Sequence, residues 1–114
     1  MNSLQNTVNL IGRIGNIPAI RIFTNGVKLA KFSLATNETI YDPNGKSIQT
    51  QWHNVVAWGK KADLIEKYVK KGQMIAVEGK LINKVMTDLN GKKNKLTQIQ
   101  VEEILLINQQ RQGA

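Results

Sequence analysis

Among 114 residues the chain has no cysteine, one histidine, two prolines and only two each of tryptophan, tyrosine and phenylalanine. The missing cysteines exclude disulfides and thiolate chemistry, which fits a reducing cytoplasm. A lone histidine forms no ligand cluster, so neither a metal nor another cofactor is expected. No apolar run approaches the roughly 18 residues of a spanning helix, and the polar start "MNSLQNTVN" is no signal peptide. No membrane partner is therefore expected. Acidic residues are scarce and dispersed. The adjacent pair Glu102 and Glu103 would point to opposite faces of a strand, and Asp63 and Glu66, one helical turn apart, read as local ion pairs among lysines. Nothing resembles a two-metal carboxylate cluster or a nucleophile with its base, so the chain does not read as an enzyme.

What the chain has in excess is positive charge. Sixteen Lys and Arg against eight Asp and Glu leave a net charge of +8, and residues 1–37 hold Arg13, Arg21, Lys28 and Lys31 with no acid. Such a balance selects polyanions as partners; the plainer reading is a solubilising surface. At this length and composition one globular domain is expected, with no internal repeat, low-complexity run or linker.

Most of the chain alternates with period two, as half-buried strands do. Residues 4–14, "LQNTVNLIGRI", put Val8 and Leu10 on one face, with Gly12 as a bulge or bend. After "GNIPA", the extended piece "IRIFT" leads to Asn25-Gly26, a hairpin signal because both central residues tolerate positive φ. The return strand, 27–37, sends Ala30, Phe32 and Leu34 to one side; a polar loop with Asp42-Pro43-Asn44-Gly45 as its turn follows.

Only "KKADLIEKYVKKG" repeats at helical spacing. Ala62, Ile65, Tyr68 and Val69 share a face opposite the lysines, and Gly72 stands in the C-cap position. "QMIAVEGKLINKVMT" and "KLTQIQVEEILLIN" then flank a turn at Leu89-Asn90-Gly91. Three strands, one helix and two strands is the order of an all-β OB-fold, a five-stranded Greek-key barrel with one α-helix between strands 3 and 4. An SH3-like barrel ranks second, since it does not normally carry a full helix there.

In "QWHNVVAWGK", residues 51–60, alternation puts Trp52, Asn54, Val56 and Trp58 on one face and His53, Val55 and Ala57 on the other. The tryptophans stand roughly 20 Å apart along a strand, too far to stack on each other and suited to separate bases of one extended polynucleotide. The competing reading packs one or both under the long hairpin or a partner subunit. Aromatic platforms with neighbouring cations are what sequence-tolerant single-strand binding requires: bases stack, and phosphates shed their counterions.

The fragments "NLIGRIGNIPAIRIFTNG", "AKFSLATNE", "WHNVVAWGKKAD", "KKGQMIAVEGKL" and "MTDLNGKK", in register from about Asn6 to Ile107, closely resemble the bacterial single-stranded DNA-binding protein (SSB) family. The resemblance implies a homotetramer of OB-folds that binds and protects single-stranded DNA in replication, recombination and repair, in the cytoplasm at the nucleoid. By position, Trp52 matches a base-stacking tryptophan of the family, and Trp58 stands where a phenylalanine usually stacks. Arg21, Lys60 and Lys71 match positions that contact the DNA backbone, and Lys84 falls near another. Charge and expected exposure alone add Arg13, Lys28, Lys31 and Lys80. His53, facing away from the tryptophans, falls near a family subunit contact and is assigned to assembly.

Two departures concern stacking. Ile40, with Tyr41 beside it, and Met86 stand where well-studied members carry tryptophans. Both cover a base through apolar contact without a π-platform, so weaker binding per nucleotide is expected, and Met86→Trp should tighten it. The family also continues into a flexible, Gly-, Gln- and Pro-rich segment with an acidic tip that recruits replication and repair proteins. This chain stops at "INQQRQGA". Residues 1–108 are thus expected to form the OB-fold domain and 109–114 a short disordered tail or the start of a cut linker, without tail-mediated recruitment. The nearest alternative is an OB-fold primosomal adaptor acting mainly through protein partners. An RNA chaperone is a further one, since stacking does not exclude ribose.

Overall fold

The computed structural model describes residues 5–107, and there every alternating stretch becomes a strand. In chain order the elements are β1 (Val8–Ile14), β2 (Ala19–Ile22), β3 (Lys28–Asp42), β4 (Gly45–Trp58), α1 (Lys60–Tyr68), β5 (Met74–Thr87) and β6 (Lys93–Leu106). The expected tail at 109–114 lies outside the described residues.

The strands lie in the order β1-β5-β6-β4-β3-β2, and a second pairing of β1 with β3 closes β1, β5, β6, β4 and β3 into a ring. That closing ladder is short, Arg13 opposite Ala35 and Ile14 opposite Leu34. All pairings are antiparallel except β4 with β6, where Val55 meets Ile99 and Val56 meets Gln100. This is the expected all-β OB-fold barrel. The helix was expected between strands 3 and 4. In chain order it lies between β4 and β5, because the short β2 is a strand of its own, paired only with β3 and outside the ring.

Gly12 sits where β1 leaves β5 for β3. A Cβ there would come within 2.2 Å of the Ala35 carbonyl oxygen, so only glycine lets the two backbones close the barrel. It is a crossing point and not a bulge; the irregular register falls instead between Glu78 and Gly79 of β5.

Residues 38–50 are not the expected polar loop. β3 and β4 pair without interruption from Leu29 opposite Trp58 to Asp42 opposite Gly45. The outer half of this arm is exposed on both faces, so it never shows the apolar alternation that marks a half-buried strand. β-Prone threonines and a cross-strand bond from Thr50 Oγ1 to Asn37 Oδ1 (2.8 Å) support it. The β5–β6 arm uses the same device, Thr97 Oγ1 to Asn83 Oδ1 (2.8 Å). With both arms projecting, the radius of gyration is 16.3 Å, above the about 13 Å of a compact chain of this size.

The Asn25-Gly26 hairpin also differs from expectation. Only Gly26 has positive φ (87°), and its N–H donates to the Phe23 carbonyl at 2.8 Å. The turn is a three-residue loop with glycine in the left-handed position. Gly91 repeats it, donating to the Asp88 carbonyl at 3.0 Å.

The barrel interior holds Ile14, Ala30, Phe32, Leu34, Val55, Ala57, Ile75, Val77, Ile99 and Val101, and α1 plugs it with Ala62 and Ile65, followed by Val69. Tyr68, expected on that face, is exposed. Gly72 does not cap the helix: α1 ends at Tyr68, the cap position falls at Val69, and Gly72 belongs to the next turn.

Candidate nucleic-acid interface

Val55 and Ala57 fill the barrel, so alternation turns Trp52 (62% exposed) and Trp58 (39% exposed) outward on β4. Cross-strand register extends this outer face into rows. Arg13, Ala35 and Trp52 lie side by side across β1, β3 and β4. Arg21, Leu29 and Trp58 do so across β2, β3 and β4. Between them runs Ala19, Lys31, Val56, Gln100 and Lys80, across β2, β3, β4, β6 and β5. A tryptophan thus stands at each end of a face floored by Val56 and lined by Lys31 and Lys84.

Each tryptophan has a support. Trp52 lies against Gly15: a Cβ there would sit 2.3 Å from Trp52 Cζ3. Trp58 stacks on Phe23, with ring centroids 5.7 Å apart and planes at 23°. The Arg21 guanidinium carbon in turn lies 4.7 Å from the Phe23 ring centre. The cation–π contact and the stacked pair leave the guanidinium's charge at the edge of an aromatic platform. Phe23 was not singled out from sequence. Its signal was its place in "IRIFT", one of two phenylalanines, beside the Asn25-Gly26 turn.

The other cations divide. Lys60 opens α1 two residues after Trp58, and Lys71 adjoins Gly72, whose carbonyl accepts a bond from Arg13 Nη1 at 3.1 Å. Lys84 and Met86 share with Ile82 the face of β5 that carries Lys80, and Met86 is 54% exposed. Lys28 is engaged elsewhere: its Nζ lies 2.7 Å from Asp63 Oδ1 and also bonds Glu66 Oε1, tying β3 to α1. Asp63 and Glu66 thus pair across elements as well as lying among the helix lysines. The hydrogen bond with Asp63, then that with Glu66, raises the Lys28 pKa above 10.5, and the same bond with Lys28 holds the Asp63 carboxyl below 3.8.

Ile40 and Tyr41 sit on the projecting arm, which places them differently. Along the uninterrupted ladder, alternation puts Ile40, opposite Ser47, on the face away from Trp52; Tyr41 and Ile48, both well exposed, share the Trp52 face. His53 faces inward opposite Leu34, and its Nε2 hydrogen-bonds Thr36 Oγ1 at 2.9 Å.

The far side of the barrel is different in kind. Across β1, β5 and β6 one row reads Ile11, Ala76, Leu105 and the next Asn9, Glu78, Glu103. Ile11 (63%) and Leu105 (65%) are exposed there, and Glu78 Oε2 is buried with no hydrogen-bond partner among the described residues. Among the described residues no group of three or more His, Cys, Asp or Glu is placed to hold a metal, and no helix is long and apolar enough to cross a membrane.

Comparison with known proteins gives a consistent result. Residues 5–107 match the model of the single-strand binding protein family. The chain is 36% identical over 110 residues to single-stranded DNA-binding protein 1 of Chlorobaculum tepidum, covering 95% of this chain and 68% of the relative. It is 36% identical over 106 residues to the single-stranded DNA-binding protein of Bacteroides thetaiotaomicron, covering 90% of this chain and 66% of that one. The chain thus spans about two thirds of the length of these relatives. A Plasmodium falciparum SSB solved in complex with single-stranded DNA superposes with a TM-score of 0.85 at 35% identity, covering 95% of this chain and 98% of that one.

Proposed function

The chain belongs to the single-strand binding protein family, and we propose that it binds and protects single-stranded DNA without regard to sequence, by base stacking and phosphate neutralisation. The carrying observation is the outer face itself: two outward tryptophans on one strand, about 20 Å apart, with Lys31 and Lys84 in the groove between them. Each platform contributes roughly 1–3 kcal/mol per stacked base whatever the base is. Trp52 and Trp58, the latter extended by Phe23, are the platforms; Arg21, Lys31, Lys60, Lys71, Lys80 and Lys84 meet the phosphates, with Arg13 beside Trp52. Met86 covers a base by apolar contact, and Tyr41 takes the place on the arm assigned to Ile40. Lys28 contributes least, because its charge is already matched.

The protein acts by binding and not by catalysis, in replication, recombination and repair, in the cytoplasm. It works as a homotetramer. The apolar row of Ile11 and Leu105 supports burial of the far side against a second copy; for His53 the assembly role rests on the family resemblance alone, since its described bond is with Thr36 of the same chain.

Tryptophan fluorescence titrated with oligo(dT), repeated with duplex DNA of equal length and at several salt concentrations, tests the reading. The expected result is strong quenching by oligo(dT) alone, with log K falling by about 0.7 per log unit of salt for each phosphate contacted. An equal response to duplex, or binding without quenching, would overturn it and favour an adaptor that acts through protein partners.

A further inference from the structure

Two grooves meet on the basic face, of about 210 and 140 Å³, and Gln98 of β6 lines both. Lys31 and Val56 are shared between them as well; Asn54 and Leu96 complete one side, Trp58 and Lys84 the other. Gln98 is opposite Ile82 in the β5–β6 ladder and alternates with the core residue Ile99, so it belongs to the outer, tryptophan-bearing face. Yet it is only 3% exposed, the one polar residue among the fully buried ones described, and its Oε1 has no hydrogen-bond partner among the described residues.

A buried amide oxygen without a donor is destabilising, and in native proteins such atoms call for an explanation. No hydrogen bond among the described residues uses this oxygen. The placement supplies a reason. Gln98 lies between the two stacking platforms, where a base of a strand spanning them passes over the groove. Its two lysine neighbours, Lys31 and Lys84, line the same grooves with long, flexible side chains.

Resting on the single-strand reading above, we propose that Gln98 is a base-edge contact: its Oε1 accepts a hydrogen bond from a donor on a base held between Trp52 and Trp58, uncovered as Lys31 and Lys84 turn to the phosphates. The acceptor is already stripped of water in the free protein, so its bond with a base carries little further desolvation cost. Each natural base has at least one N–H donor on its pairing edge: N3–H in thymine, the exocyclic amino group in cytosine and adenine, both kinds in guanine. A lone acceptor therefore grips a base without selecting a sequence, which is the specificity the proposed function needs.

The test removes the donor and the acceptor in turn. Oligo(dT) is compared with the same oligomer built from N3-methylthymidine, whose bases have no N–H donor, on the wild type and on Gln98→Met. The wild type should favour oligo(dT) roughly twofold to tenfold, one net hydrogen bond, and Gln98→Met should lose that preference. The variant should keep its quenching and salt dependence and melt at or above the wild-type temperature, because an unpaired acceptor has gone. A preference that persists in Gln98→Met reports a steric effect of the methyl group and overturns the contact. So does the absence of any preference in the wild type, which needs no variant to fold. A lower melting temperature for Gln98→Met would show that the amide serves the fold instead. Failure of the wild type to bind oligo(dT) at all would refute the function itself, an outcome distinct from the others.

Discussion

The two outer sides of this barrel are made from the same kind of strand and carry opposite chemistry. On the β3–β4 side the outward positions are Trp52, Trp58, Lys31 and Arg21, with support beneath each ring. On the β1–β5–β6 side they are Ile11, Leu105, Glu78 and Glu103, apolar with acid at one border. A polyanion is drawn to the first and repelled from the second, while a protein surface that excludes water suits the second. One small barrel thus separates a charged, aromatic surface from an apolar one, and perturbing one side should leave the other intact.

The largest effect should come from the platforms. Trp52→Ala and Trp58→Ala should each weaken oligo(dT) binding by about 1–3 kcal/mol, roughly 5- to 150-fold, with no change in sedimentation. Loss of assembly in either variant would mean that the two sides are not separate. On the far side, Leu105→Asp should place a charge amid Ile11 and Ala76 and lower the mass seen by sedimentation at low micromolar concentration, while each barrel still quenches with oligo(dT). An unchanged mass would remove that side from the assembly.

A finer probe is Gly15→Ala. Its Cβ would collide with Trp52, so the ring must move. Affinity should fall by a smaller factor than in Trp52→Ala, with altered Trp52 emission and little loss of stability; wild-type affinity would show that the seat of the ring is immaterial.

The smallest effect belongs to the tie between Lys28 and α1, which uses a cation of the basic side for structure. The Asp63 pKa is depressed, so its stabilisation is present above 3.8 and lost as pH falls through the lower folded value; the Lys28 pKa is raised, so its share is present below 10.5 and lost as pH rises through the higher folded value. The Tm of the wild type should exceed that of Lys28→Met by a small, salt-sensitive margin that is flat through neutral pH and shrinks at both extremes. A margin that does not change with pH would mean that Lys28 stabilises through packing.

Strand alternation, which depends only on neighbouring residues, was enough to put Trp52 and Trp58 on the face opposite Val55 and Ala57, because a pleated backbone admits no other arrangement; that this face is the exposed one was decided by the barrel. The same rule located the β5–β6 hairpin, and helical spacing, equally local, located α1. Alternation failed for residues 38–50, where the arm is largely wet and no apolar pattern exists, and helical spacing failed for Tyr68, the last residue of α1, which is exposed.

Everything that depends on which strands become neighbours lay beyond that rule. Phe23 reaches Trp58 only because β2 and β4 flank β3; Gly15 reaches Trp52 only because β1 crosses to β3 at Gly12. Lys28, one basic residue among several in the chain, is withdrawn from the basic side by two carboxylates more than 30 residues away. The buried amide of Gln98 is the plainest instance. A glutamine amid alternating residues gives no hint of its burial, which follows from closing β6 between β4 and β5, a contact between segments far apart in the chain.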